Sequence, residues 1–293
     1  VKPFIIANPR SRLGQTGDRL GELRALLSKY VGEHVFWTTE REGDGERLAR
    51  EACAAGATQI VVAGGDGTVS EVVTGLLVDH GKTEVELGLL PLGTGRDFAR
   101  MLRLGRELEP AVARLSYGKR RRVDAGRLWA SQPDGTERTR CFLNIASFGL
   151  SGESAGWLHE QAASGKRNRA SYLLSSVVGL TRYAMPRIRL DLDGQIIHDA
   201  PLTLAAACNG QYFAGGMQVG PDAQIDDGLL DVVIVPKLPL LEALARLPKL
   251  MRGTHVDGRS IRMLRGRRLT ASSDAEVWLE ADGELIGRLP ARV

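Results

Sequence analysis

The chemistry this sequence could do is concentrated where glycine and carboxylates meet. In the stretch IVVAGGDGTVSEVV, residues 60–73, an apolar run ends in Gly64, Gly65, Asp66, Gly67 and Thr68, then turns polar and periodic. Phosphate is held by backbone N–H groups, and glycine lets a backbone approach it closely. A helix N-terminus adds the positive end of its dipole. Gly64, Gly65 and Gly67, between a strand and a helix, supply that arrangement. Thr68 reads as a helix cap or as a phosphate donor. Asp66 repels phosphate, so it reads as a ligand of Mg²⁺ or its waters, or as a group near a reacting hydroxyl. The plain alternative is a strand-to-helix turn that contains an aspartate. The loop is neither GxGxxG nor a Walker A loop, because no GK[ST] occurs.

Two further stretches carry carboxylates. In EADGE, residues 280–284, Glu280, Asp282 and Glu284 alternate. In a regular strand they would share one face, unless Gly283 turns the chain. On the residues alone they read equally as a solvated acidic face. The segment Gln224-Ile225-Asp226-Asp227-Gly228-Leu229 reads as an ordinary turn before the strand-like LLDVVIV.

The elements that must position these groups follow from periodicity. FIIANP (4–9), HVFWTT (34–39), QIVVAGG (59–65) and ELGLLPLG (86–93) read as strands. Helical spacing follows each one: the leucines at 20, 23, 26 and 27, then 45–56, 69–77 and 96–102. Strands alternating with helices imply βαβ units and a parallel sheet, with ligands at the carboxyl ends of the strands. Those ends carry Asn8-Pro9, Thr38-Thr39, the GGDGT turn and Leu92-Gly93-Thr94-Gly95. After Lys119 the pattern becomes short, β-rich and turn-bounded, with Asp193-Gly194 as a strong hairpin signal and helical patches near 154–184 and 240–252. The expected domains are therefore 1–122, α/β, and 123–293, mainly antiparallel sheet, whose last residues could return to the first domain.

Together these motifs resemble the diacylglycerol-kinase catalytic domain family, which includes soluble bacterial lipid kinases, sphingosine kinases and ceramide kinases. The resemblance rests on NP at 8–9, GGDGT at 64–68 followed by Glu71, and PLGTGRDFAR at 91–100. It continues through FLNIASFGLSG (142–152), the long block at 208–235 and EADGE, so it covers nearly the whole chain. GGDGT alone is shared with NAD kinases; the ordered set is more specific. The family implies an α/β nucleotide domain, a β-sandwich domain and an active site in the cleft between them. It also implies ATP, Mg²⁺ and a lipid alcohol acceptor. By motif match, nucleotide binding falls on Asn8, Pro9, Thr39, Gly64, Gly65, Asp66, Gly67, Thr68, Val69, Ser70, Glu71 and Thr94. The structural Mg²⁺ loop falls on Gln224, Asp227 and Leu229, with Asp227 as carboxylate ligand and the other two as carbonyl ligands. The general base falls on Glu284, with Asp282 as its rival and Asp66 as a catalytic group managing metal or proton. The resemblance implies γ-phosphate transfer to a lipid hydroxyl, with diacylglycerol giving phosphatidic acid as the leading reaction. Sphingoid-base or ceramide kinase, NAD kinase and a non-catalytic nucleotide-binding regulator are the alternatives.

Three positions depart from the family pattern: Arg12 and Arg96 replace a usual Gly and Asn, and Ser70 stands where Asn is common. Arg96 reads as a phosphate contact or as a surface residue at a helix start. The remaining composition sets the partners. Net charge is +4 over 293 residues, which favours anionic partners without selecting one. Lys119–Arg122 and the group Arg262, Arg265, Arg267 and Arg268 are candidate contacts for an anionic lipid surface. They lack the interleaved aromatics that would stack on bases, so nucleic acid is not expected. Trp157, Tyr172, Leu173, Leu174, Val177 and Val178 read as core or as an acyl pocket. The apolar stretch 172–185 is broken by Ser175, Ser176, Gly179 and Arg182, too short and polar to span a bilayer. Cys53, Cys141 and Cys208 form no CxxC and read as thiols in a reducing cytosol. No leader is read at the start of the chain. The expectation is a cytoplasmic protein, peripheral on the inner membrane face, with a homodimer also carried forward.

Overall fold

The computed structural model describes residues 2–12, 14–79, 81–162 and 183–293, with no side chains described at 157–162 or 240. The expected acyl-pocket residues at 157–178 lie outside this description. The chain divides into two compact units, Val1–Arg122 and Val123–Val293.

The first unit is a four-stranded parallel sheet of β1 (Phe4–Ala7), β2 (Val35–Thr38), β3 (Gln59–Gly64) and β4 (Glu86–Pro91), in the order β2-β1-β3-β4. The order reverses between β1 and β3, so their carboxyl ends form the switch point at which such sheets bind ligands. The helices are α1 (Gln15–Asp18), α2 (Leu20–Tyr30), α3 (Asp44–Ala54), α4 (Asp66–Leu77), α5 (Asp97–Met101) and α6 (Leu108–Tyr117). They cover both faces, which is why β1 and β3 read as unbroken apolar runs. Alternation along the strands separates two cores. Ile5, Ala7, Val61 and Ala63 pack with Leu23 and Leu27 of α2 and Val112 of α6. Phe4, Ile6, Ile60 and Val62 pack with Leu48 and Ala52 of α3 and Val72 and Leu76 of α4. Helix α6 is absent from the sequence reading, although Leu108, Ala111 and Val112 bury one face at helical spacing.

The second unit is antiparallel. Its strands are β5 (Gly126–Ser131), β6 (Glu137–Phe142), β7 (Ile145–Gly149), β8 (Arg187–Leu192), β9 (Gln195–Cys208), β10 (Tyr212–Phe213), β11 (Met217–Gln218) and β12 (Leu230–Pro236). They continue as β13 (Arg262–Gly266), β14 (Leu269–Ser272), β15 (Trp278–Ala281) and β16 (Glu284–Arg292), with helices α7 (Leu150–Ala162) and α8 (Leu240–Met251). The stretch 195–208 reads as two strands in sequence but forms one. The first half of β9 pairs with β8 and its second half with β7 and β12. Strand β16 likewise pairs with β15 near its start and with β5 and β14 near its end. Long strands that change partners fold one sheet over itself, which closes a sandwich around a large apolar core. In the opposite sense, the β-rich stretch 140–149 is not continuous but breaks at Leu143-Asn144 between β6 and β7.

Both Asp-Gly pairs make tight hairpins. Asp193-Gly194 has φ of 53° and 86°, and Asp282-Gly283 has 49° and 86°. Positive φ at both central residues is the requirement of the type I′ turn, whose twist matches the flanking strands.

Candidate functional site

In the first unit, the glycine turn is built from two loops in backbone contact. Leu92 and Gly93 donate their N–H groups to the Gly64 carbonyl at 2.9 and 3.0 Å. A Cβ on Gly93 would lie 2.3 Å from the Gly65 Cα, so no side chain fits there. Gly93 is therefore glycine because the loops after β3 and β4 touch main chain to main chain, whereas a Cβ on Gly65 would meet Gly93 only at 3.3 Å. Helix α4 begins at Asp66, three residues earlier than the sequence pattern suggests, with extended Gly65 as its N-cap. No side chain caps it, so Thr68 is not the cap. Its hydroxyl instead accepts the Asn8 side-chain N–H at 2.9 Å, tying the end of β1 to the first turn of α4.

Asp66 points at the second loop. Its carboxylate faces the backbone N–H groups of Arg96, Asp97 and Phe98 at the start of α5, with Phe98 at 3.4 Å. Loss of hydration pushes its carboxyl up to about 6, and the neighbouring Asp97 charge adds to this while the N–H groups oppose it. Asp66 and Asp97 thus form an acidic pair beside a helix N-terminus, an oxygen set suited to a hard cation. Asp97 was not singled out from sequence; its place in the GTGRD motif was the available signal.

The other expected nucleotide residues are distributed around the same strand ends. Thr39 is buried after β2, and its N–H bonds to the Ala7 carbonyl at 2.9 Å. Glu71 accepts the N–H groups of Gly43 and Gly45 at 2.9 and 2.8 Å, so its carboxylate caps α3. Ser70 is fully buried, Pro9 and Val69 are half-buried, and Thr94 is exposed. Arg96 is not a free surface cation. Its guanidinium donates to the carbonyls of Leu104 and Gly105 at 3.0 and 2.6 Å, which brings the loop after α5 back to its start. Arg12 and Arg96 both sit in the left-handed region, with φ of 54° and 58°. The Gly and Asn expected there are the residues that tolerate this backbone best.

In the second unit, the three EADGE carboxylates do not share a face. The chain reverses at Asp282-Gly283, and the three groups enter different surroundings. Asp282 accepts the N–H groups of Leu143, Asn144 and Ile145 at 2.8, 2.9 and 3.1 Å. These bonds account for the break between β6 and β7. Glu280 is buried, with 3% of its surface exposed. It accepts the Ser147 hydroxyl and, at 2.8 Å, the Gly283 N–H. Burial pushes its carboxyl up to about 7; the two hydrogen bonds oppose the shift, and Asp282 and Glu284 reinforce it. Glu284, half-buried, leaves the turn as the first residue of β16. The solvated acidic face expected from the residues alone is thus not formed.

The Gln224–Leu229 loop is tied to the start of the unit. Gly228 donates to the Asp124 carboxylate at 2.7 Å, and Asp124 donates its own N–H to the Ile225 carbonyl at 2.6 Å. Asp227 accepts the Leu229 N–H on one oxygen at 3.0 Å. Its second oxygen is buried without a hydrogen bond, 3.3 Å from the Arg265 guanidinium. One such carboxylate oxygen in a turn that also presents carbonyls fits a hard cation in donor type. Among the described residues no group of three or more His, Cys, Asp or Glu forms a metal cluster, so carbonyls would have to complete any such site. Asp124 was missed from sequence.

The basic runs are largely engaged within the fold. Arg265 also pairs with buried Asp231 at 2.9 Å, Arg262 and Arg267 donate to carbonyls, and Arg120 and Arg122 pair with Glu86 and Glu84. The three cysteines are free thiols.

The comparisons with known proteins span both units. The diacylglycerol kinase catalytic domain model matches residues 2–128, and the YegS C-terminal NAD kinase beta sandwich-like domain model matches 146–293. The chain is 32% identical, over 96% of its length and 86% of the relative, to the "Probable lipid kinase YegS-like" of Chromohalobacter salexigens. It is 28% identical to a diacylglycerol kinase of Staphylococcus carnosus, covering 98% of this chain and 90% of that one. The crystal structure of a diacylglycerol kinase from Bacillus anthracis str. Sterne shares the fold, with a TM-score of 0.76, 24% identity and 99% and 92% of the two chains covered. Yeast NADH kinase complexed with NADH superposes with a TM-score of 0.50 at 12% identity, covering 100% of this chain and 77% of that one, a likeness of fold alone. The motif resemblance is borne out at both ends of the chain, and this protein belongs to the diacylglycerol kinase family of lipid kinases.

Proposed function

We propose that the chain transfers the γ-phosphate of ATP to the hydroxyl of diacylglycerol, with Mg²⁺, giving phosphatidic acid. The observation that carries this reading is the match, along nearly the full chain, to relatives named diacylglycerol kinase. The first unit's chemistry is compatible with it. A nucleotide phosphate at the β1/β3 switch point would meet the N–H groups and positive dipole end of α4, a helix of twelve residues. Asn8, Pro9, Thr39, the segment Gly64–Glu71 and Thr94 line or brace the strand ends around that point. Asp66 and Asp97 offer oxygens to Mg²⁺, which when bound would offset phosphate charge as the phosphoryl group transfers.

In the second unit, Glu284 takes the acceptor's proton. Asp282 is the poorer candidate, because its oxygens already accept three main-chain N–H groups. In a loose transfer the proton leaves late, so holding the acceptor oxygen beside Glu284 matters more than the strength of the base. Asp227, with the carbonyls of Gln224 and Leu229, would hold a structural Mg²⁺, which when bound would tie the loop before β12.

The test offers diacylglycerol, ceramide and a sphingoid base side by side in mixed micelles with ATP and Mg²⁺. Phosphatidic acid should dominate the products. Preferential phosphorylation of ceramide or the sphingoid base would replace the acceptor, and NADP formation from added NAD would replace the reaction.

A further inference from the structure

Glu280 is a buried acid that the proposed chemistry does not use and that, unlike buried Asp44 and Asp231, has no arginine paired with it among the described residues. Glu280 lies in β15, two residues before the hairpin turn that delivers Glu284. One of its oxygens accepts the N–H of Gly283, inside that turn, and the other accepts the hydroxyl of Ser147 on the paired strand β7. Asp282 grips the same turn from its other side through Leu143, Asn144 and Ile145. The turn is thus clamped by two carboxylates, and Glu284 is the next residue along.

The clamps differ in how they respond to protons. Each of Glu280's bonds brings a donor to a carboxylate oxygen, an arrangement that suits the ionised form. A protonated Glu280 can donate its O–H to Ser147, whose hydroxyl turns from donor to acceptor, but the Gly283 N–H then meets a neutral oxygen, so the bond into the turn loses its charge assistance and weakens. The charges set against it are carboxylates, Asp282 and Glu284 from the turn and β16. Across β7, the neighbouring thiol of Cys208 on β9 is itself pushed up by burial, with Asp231 of β12 and Glu280 adding to the shift. On α7, Glu153 acts on Tyr183.

We propose that Glu280 is a positioning residue whose ionisation locks the Asp282-Gly283 turn and so sets Glu284 in place for proton removal. This rests on the reading of Glu284 as the base. Burial and two acidic neighbours place Glu280's titration near neutrality, where the enzyme would feel it. Turnover then rises with pH through about 7, while the affinity for ATP, bound by the other unit, stays level.

The sign for stability is opposite. A carboxyl whose folded value lies above its unfolded one stabilises most below the ordinary glutamate range, and that contribution is lost as pH rises through about 7.

The experiment compares wild type with Glu280→Gln and Ser147→Ala, full chain, across the neutral range. It reads kcat, KM for ATP and melting temperature. In wild type, kcat should rise by about tenfold per pH unit below the transition, while the melting temperature falls. Glu280→Gln keeps an oxygen for Gly283 but cannot ionise, so both pH dependences should flatten while KM for ATP is unchanged. Ser147→Ala removes a donor that favours the ionised form, so the transition should move to higher pH. An unaltered neutral transition in either variant overturns the proposal. The melting curves need no turnover, so they separate failure of this inference from failure of the kinase reading.

Discussion

Glu280 and Asp282 stand two residues apart and meet opposite surroundings. Asp282 is held by three N–H donors, whereas Glu280 is enclosed, has two donors and faces like charge. The sequence shows three alternating carboxylates and cannot sort them, because their difference comes from strands far away in the chain. Ser147 and Leu143–Ile145 lie more than 130 residues earlier. What was legible was the turn, since Asp-Gly between alternating runs dictates it. A separation of 104 residues from Gly228 likewise hid Asp124. Asp282→Ala should strip the acceptor from three N–H groups at the β6–β7 break. A buried donor left without a partner costs ~1–3 kcal/mol, and neighbouring losses do not add fully. A loss of about 3 kcal/mol in urea unfolding is expected; an unchanged midpoint would show that these bonds contribute nothing to stability.

The strand ends of the first unit were legible as the ligand side, because alternating elements force a parallel sheet and the small or polar residues fall where its strands stop. The reason for the glycines was only half legible. Close approach of phosphate was the expected reason, but Gly65 and Gly93 also face each other, main chain against main chain. A contact between two loops leaves no local signal. The continuity of β9 was hidden for a similar reason, since a strand that changes partners at Pro201 looks like two short strands. Gly93→Ala tests the loop contact. A methyl carbon 2.3 Å from the Gly65 Cα must push the two loops apart. The variant should remain folded, lose about 1–3 kcal/mol of stability and bind ATP at least tenfold more weakly. Wild-type melting temperature and ATP affinity, measured by thermal shift and titration calorimetry, would contradict this.

For the molecule as a whole, each unit has its own apolar core, and the family models divide near the same place as the two units. Among the described residues no helix is long and apolar enough to cross a membrane. The basic runs that suggested an anionic surface are mostly paired within the fold, which weakens them as attachment sites. Which lipid is chosen was not legible, because the sequence marks phosphate and carboxylate chemistry far more plainly than the shape of an acyl site.

The most direct measurement is transfer of label from γ-labelled ATP to diacylglycerol in mixed micelles, by wild type and Glu284→Gln together, with ATP binding measured on both. Wild type should form labelled phosphatidic acid. The variant should lose turnover by about two to four orders of magnitude while binding ATP as wild type does. Labelled phosphatidic acid formed equally by both proteins would remove Glu284 from the chemistry. No labelled lipid from folded wild type with Mg²⁺ present would contradict the account itself.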